Sequence, residues 1–210
     1  MLSPLLRPIV QLREGESTTV FLMFLYSFLA MTSYNIIKPL GRSTFMTAWG
    51  ADNLPYVQLA MGVLIGFIMH AYVKTISLVP RRWTIPATQA GMMALVLAFW
   101  LMFVTMPRDW VPAAFYVLTL ILGILLISQF WTLANDIYDP RQAKRVFGFV
   151  GAGSSLGGAM GSGLTRFLVE KVGTNTMLLI GAGTLALCLA IVVFILRREK
   201  SAGTGDAAKA

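Results

Sequence analysis

Charged side chains are scarce in this chain. Asp, Glu, Lys and Arg make up 12% of its 210 residues, against roughly 25% in a soluble domain. That leaves too little polar surface to cover a water-soluble globule. Cysteine is scarcer: Cys188 is the only one. No intrachain disulfide can form, and a position inside an apolar run suits a small packing residue. His70 is the only histidine. It has no acidic partner at helical spacing, so an interhelical hydrogen bond fits it better than a proton relay. Signatures of enzyme chemistry are missing too. There is no metal-ligand cluster, no nucleophile elbow, no paired carboxylates and no GxxxxGK[ST] loop. Gly151 and Gly153 open a glycine-rich stretch, but a dinucleotide fingerprint needs glycine at position 156, where Leu156 stands. No enzyme activity, cofactor or metal is therefore expected. Nor does the start of the chain have the charged, apolar and small-residue order of a cleavable signal peptide.

What the chain has is apolar length. Hydrophobic residues make up 57%, and the mean hydropathy is +0.72. About 20 apolar residues cross the hydrocarbon core as a helix. Six runs qualify: Val20–Ile37, Leu54–Val79, Trp83–Met106, Val111–Phe130, Val146–Val169 and Thr176–Leu196. They lack the dyad alternation of barrel strands. Backbone polar groups in lipid must pair within their own segment, so the runs are predicted helices. The fold class expected is an all-α polytopic membrane protein, a six-transmembrane-helix bundle. Residues 1–19 read as a cytoplasmic or interfacial lead-in, 20–197 as the transmembrane domain, and 198–210 as a cytoplasmic linker or disordered tail.

Basic residues set the expected orientation. With the N-terminus inside, most of the 17 Lys and Arg fall on the cytoplasmic side. The positive-inside rule then predicts a multi-pass protein of the cell inner (plasma) membrane with both termini cytoplasmic. The net charge of +8 is the basic fringe of a chain whose partner is the lipid bilayer, and it needs no nucleic acid. Trp49, Tyr56 and Trp110 suit the outer interface, and Trp83, Trp131 and Tyr138 the inner one.

Polar residues at membrane depth are costly, and they face a cavity or another helix. Tyr34, Asn35 and Lys38 share one face at the end of the first run, where Pro39 is predicted to end or kink the helix. Lys38 reads either as a snorkelling interfacial lysine or as a cation that meets an anionic solute in a cavity. Gln129, Thr132 and Asp136 form a stripe on the fourth helix, overlapped by Ser128, Thr132 and Asn135. Such a stripe lines a polar path or supplies interhelical hydrogen bonds. Asp139-Pro140 is a helix start, with an N-cap carboxylate and proline in the first turn. Lys144 and Arg145 follow, as gate charges or as a positive-inside anchor. Gly153, Gly157 and Gly161 then recur every four residues, a small-xxx-small seam for close helix packing.

The segment from Phe130 to Ile137, with Gln142-Ala143-Lys144-Arg145-Val146-Phe147-Gly148 and the glycines after it, resembles the nucleotide (ATP/ADP) translocase family. The Lys38-Pro39 ending and the Arg13-Glu14-Gly15-Glu16 lead-in resemble that family as well. The family is related to the major facilitator superfamily, and this chain is similar to its N-terminal six-helix half. The resemblance implies a transporter working by alternating access, with a second six-helix half or a second copy of the chain as partner and a small anionic solute as cargo. Lys38, Tyr34 and Asn35 would then meet an anionic group such as phosphate. Gln129, Thr132 and Asn135 would line the inner path, with Asp136, Asp139, Lys144 and Arg145 as cytoplasmic gate charges. The sequence departs from the family pattern at Gly41 and Arg42, where acidic residues are expected. A second class of function stays open: a non-transporting membrane scaffold or regulatory subunit that binds partners through the glycine seam.

Overall fold

The computed structural model describes residues 16–106 and 108–207. Of the lead-in expected over residues 1–19, residues 1–15, including Arg13 and Glu14, lie outside the described residues, as do the tail residues 208–210; residues 16–19 are the first turn of α1. The described chain is helical: α1 (Glu16–Trp49), a 3-10 turn (Ala51–Asn53), α2 (Leu54–Ile76), α3 (Arg81–Thr105), α4 (Trp110–Ile137) and α5 (Pro140–Ala207). Among the described residues, five helices are long and apolar enough to cross a membrane.

Two features differ from the sequence reading. Hydropathy separates the last two apolar runs by a loop. The structure shortens that separation to one non-helical residue, Gly173, at φ 79° and ψ 164°, where α5 kinks between two helical arms. A lone glycine is enough because that backbone region is essentially closed to other residues. The second difference is Pro39, which does not end its helix: α1 continues to Trp49. Proline at 39 removes the amide that would bond the carbonyl of Asn35. The Thr165 hydroxyl, 2.9 Å from the Gly161 carbonyl, also reaches that Asn35 oxygen at 3.4 Å. A hydroxyl from a neighbouring helix thus lies near the carbonyl that proline deprives of its helix amide, while its closer acceptor is the Gly161 carbonyl.

Helix α1 is the hub. Its buried Met23, Tyr26, Ile36 and Ile37 pack into one core with Leu122, Leu126 and Leu133 of α4 and Leu178, Leu185 and Cys188 of α5. Before Gly173, α5 runs parallel to α1. Gly153 lies against Phe24 and Ser27, Gly157 against Phe28, and Gly161 against Thr32 and Asn35. After Gly173 the chain doubles back, with Gly181 against Ile36 and Ile37 and the Cys188 thiol facing the Tyr26 carbonyl. Helix α4 is antiparallel to α1: Thr119 meets Gly41, and Gly123 meets Tyr34. Helix α2 is peripheral and mostly exposed; Leu59, Val63 and Phe67 all point outward. Apolar surface facing lipid carries no penalty, so packing here depends on close fit rather than on escape from water.

Candidate functional site

The glycine seam fixes how near α5 comes to α1. A Cβ at Gly161 would stand 2.6 Å from the Thr32 carbonyl oxygen, and one at Gly153 would stand 2.6 Å from that of Phe24. At Gly157 it would collide with the Phe28 carbonyl. Only hydrogen at these three positions lets the backbones touch. Hydroxyls reinforce the seam. Ser27 donates to the Val150 carbonyl at 2.7 Å, and Thr32 lies 3.2 Å from that of Gly157.

Where the seam ends, the two helices hold a cavity of about 400 Å³ lined by Asn35, Lys38, Pro39, Arg42, Ser162, Thr165 and Arg166. Among the described residues, three cations line it and no carboxylate does. Lys38 and Arg42 are one turn apart on α1, as are Ser162 and Arg166 on α5, so each pair projects from one face. All three cations are exposed. The Lys38 ammonium stands 5.3 Å from the centre of the Tyr34 ring, within cation–π range. Tyr34 is itself braced against Gly123. Asn35 donates its amide to the Met31 carbonyl at 2.9 Å, and its amide oxygen is 3.5 Å from the Ser162 hydroxyl. Chemically, such a socket can attract an anion, because cations stand on both walls with polar side chains between them.

Two further cavities flank the same stretch of α1. One, of about 250 Å³, is lined by Ser27, Ala30 and Met31 of α1, Phe130 and Trp131 of α4, and Phe147, Gly151 and Ser154 of α5, with Leu126 and Ile127. Trp131 is edge-on to Phe130 and to Phe147, at centroid distances of 5.3 and 5.4 Å. The other, of about 370 Å³, lies between α1, α2 and α4 and includes Tyr34 and Gln58.

The remaining candidates divide. Gln129 is buried, at 4% exposure, and both of its amide atoms lack a hydrogen-bond partner. It lies inside the bundle rather than on the stripe that Thr132, Asn135 and Asp136 expose. The Thr132 hydroxyl is returned to the Ser128 carbonyl at 2.9 Å. Asp139 precedes α5, and its amide donates to the Gln142 side chain at 3.2 Å, the reciprocal half of a capping box. Asp136, Asp139 and Lys144 are exposed around the α4–α5 turn, with Arg145 half-buried beside them.

Arg42, Ser162, Thr165 and Arg166 join the socket without having been singled out from sequence. The signal was present in the four-residue spacings 38–42 and 162–166. It was hidden by the expectation that Pro39 ends or kinks the helix, which leaves the register of Arg42 with Lys38 open.

No solved structure matches this chain. Two curated relatives are the proteins named ADP,ATP carrier protein 1 of Chlamydia muridarum and of Chlamydia trachomatis. Each is 26% identical over 67% of this chain. The match covers 32% and 33% of their own lengths, so the chain spans about a third of the relatives it matches. The family model described as TLC ATP/ADP transporter matches residues 63–197, more than half of the sequence and four of its five long helices. This chain belongs to the TLC ATP/ADP transporter family.

Proposed function

We propose that this chain is the six-crossing first half of a carrier that moves nucleotides such as ATP and ADP, or another organic phosphate anion, by alternating access. The observation that carries the reading is the socket of Lys38, Arg42 and Arg166, which no carboxylate lines. In a chain with so few charges, three cations grouped around one cavity, with no carboxylate among its described lining residues, suit an anionic solute. Tyr34 and Asn35 orient Lys38 and supply polar contact. Thr132 and Asn135 line the inner path, and Gln129 lies buried behind them. Asp136, Asp139, Lys144 and Arg145 form the cytoplasmic gate.

Six crossings follow from length. The apolar part of α5 has 59 residues, which as one straight helix would span about 90 Å. A bilayer core of about 30 Å cannot hold that as a single crossing, so each arm around Gly173 crosses separately. Both termini then lie on one side, the cytoplasmic one by charge. The partner is a second six-helix unit or a second copy of the chain, in the manner of the major facilitator superfamily, with the solute held between the halves. A scaffold reading needs the glycine seam free for a partner, and α1 already fills it.

Uptake into proteoliposomes tests the proposal. Labelled ATP and ADP accumulate, unlabelled organic phosphates compete, and neutral sugars do not. Uptake equal to that of empty liposomes for every phosphate tried contradicts it.

A further inference from the structure

We propose that the core of the bundle binds water at a site formed by Tyr26, Gln89 and the Cys188 thiol, and that this water enters from the cavity at Phe130 past Gln129. The site is separate from the Lys38–Arg42–Arg166 socket and needs no transported solute.

Four neutral polar side chains are sunk in an otherwise apolar core. Tyr26, Gln89 and Cys188 are fully buried, and Gln129 nearly so. Among the described residues, the Tyr26 hydroxyl and both amide atoms of Gln89 and of Gln129 find no hydrogen-bond partner in the protein. These groups come from α1, α3 and α4, and Cys188 from the second arm of α5. They converge. The Cys188 thiol faces the Tyr26 carbonyl at 3.9 Å. The Gln89 side chain comes up to the same thiol, and the Tyr26 hydroxyl is within electrostatic range of it. The Tyr26 ring packs on Phe130 at a centroid distance of 6.1 Å, and Phe130 follows Gln129 in the chain. Depth agrees as well. Tyr26 lies ten residues past the start of α1, Gln89 eight past the start of α3, and Gln129 eight before the end of α4. With six crossings these three ends share one side, so all three residues sit about 12–15 Å deep. That is near the middle of a hydrocarbon core of about 30 Å.

The chemistry of the groups selects the ligand. Polar side chains between membrane helices usually pair with one another across the contact. Here those pairs are not made, and a dry core would leave each amide with the full cost of an unmade hydrogen bond. An amide offers donors and acceptors together, and so does a phenol. Water, which also does both, matches them, and a buried water makes about three such bonds. An ion of either sign would leave half of these groups unmatched. The supply lies next door. The cavity of about 250 Å³ has Ser27 and Ala30 among its lining, on either side of Tyr26 along α1's turn, and Leu126 and Phe130, which flank Gln129 on α4. It has room for several waters at about 30 Å³ each, one side chain away from the core.

Cys188 is the only thiol in the chain, so its S–H stretching band in the infrared is a single reporter inside the site. The test moves the purified full chain, in lipid nanodiscs, from H2O to D2O. It follows exchange of S–H to S–D together with exchange of the backbone amides. The wild-type thiol is expected to exchange within minutes while the helix amides stay protected. Gln89→Met keeps the side chain's length and removes its amide. In that variant thiol exchange is expected to slow by about ten-fold or more, the scale of one hydrogen-bonding group lost from bound water. The unfolding temperature separates wet from dry by its sign. Removing an amide that holds water lowers it, whereas removing an unmet amide from a dry core raises it. If Gln89→Met does not fold, Gln129→Met at the entrance carries the same expectations. A wild-type thiol that stays S–H for hours overturns the site. So does an unchanged exchange rate in the variant, or a raised unfolding temperature. Thiol exchange only in step with the helix amides overturns it too, because water then arrives by opening of the bundle. No solute is present in these measurements, so their failure leaves the anion-binding reading of the Lys38 socket untouched.

Discussion

Glycines that look alike in the sequence differ sharply in their surroundings. Gly157 is backed by the Phe28 backbone, whereas Gly151, less than two turns away, faces open space. Gly157→Ala is therefore expected to lower stability by about 1–3 kcal/mol, the usual cost of overpacking. Gly151→Ala is expected to be neutral or to stabilise by up to about 1 kcal/mol through helix propensity. Thermal unfolding of the two variants in detergent checks the contrast, and equal effects would refute the seam geometry. Pro39 and Thr165 make a second pair at this scale. Thr165→Val removes the hydroxyl near the Asn35 carbonyl and is expected to destabilise by ~0.6 kcal/mol, with an upper bound near 1.7. In a Pro39→Ala background the helix amide serves that carbonyl, so the same change is expected to cost less. A double-mutant cycle measures the coupling; strict additivity would show that Thr165 plays no such part.

At the scale of elements, the helices were legible because apolar length is a strong signal and lipid leaves few alternatives to helix. Their ends were not. Pro39 reads as a stop or a kink in water-soluble logic, yet α1 runs on past it, and the Thr165 hydroxyl near its Asn35 carbonyl comes from a helix more than a hundred residues away in the chain. Hydropathy also cannot see that the 169–176 gap closes to a single glycine. Gly173 sits at φ 79°, and Gly173→Ala is expected to cost of order 1–3 kcal/mol of backbone strain. The expected readout is a lower unfolding temperature with the helical content intact. No change in the unfolding temperature would mean that the chain does not turn at that residue. The seam glycines were legible by their spacing, but their partner was not, since nothing in a four-residue repeat says whether it meets its own chain or another.

For the whole molecule, the sequence pointed to Lys38 with Tyr34 and Asn35, and the structure puts these three beside one another. It could not reveal that Arg42 and Arg166 complete a socket, because that depends on α1 and α5 running parallel and in register. Gln129 shows the converse. Its spacing grouped it with Thr132 and Asp136, yet the bundle's rotation turns it inward, where its amide atoms are unpaired. Helical spacing assigns a residue to a stripe; only packing decides which way the stripe faces. The central claim is that the Lys38–Arg42–Arg166 cavity holds the phosphates of the transported anion. Binding of labelled ADP to the wild type, Lys38→Gln and Arg166→Gln, each checked for normal folding, tests it most directly. The account predicts that each substitution weakens ADP by about ten-fold or more, the usual cost of losing one charge-assisted contact to phosphate. ADP affinity unchanged in both variants would contradict it.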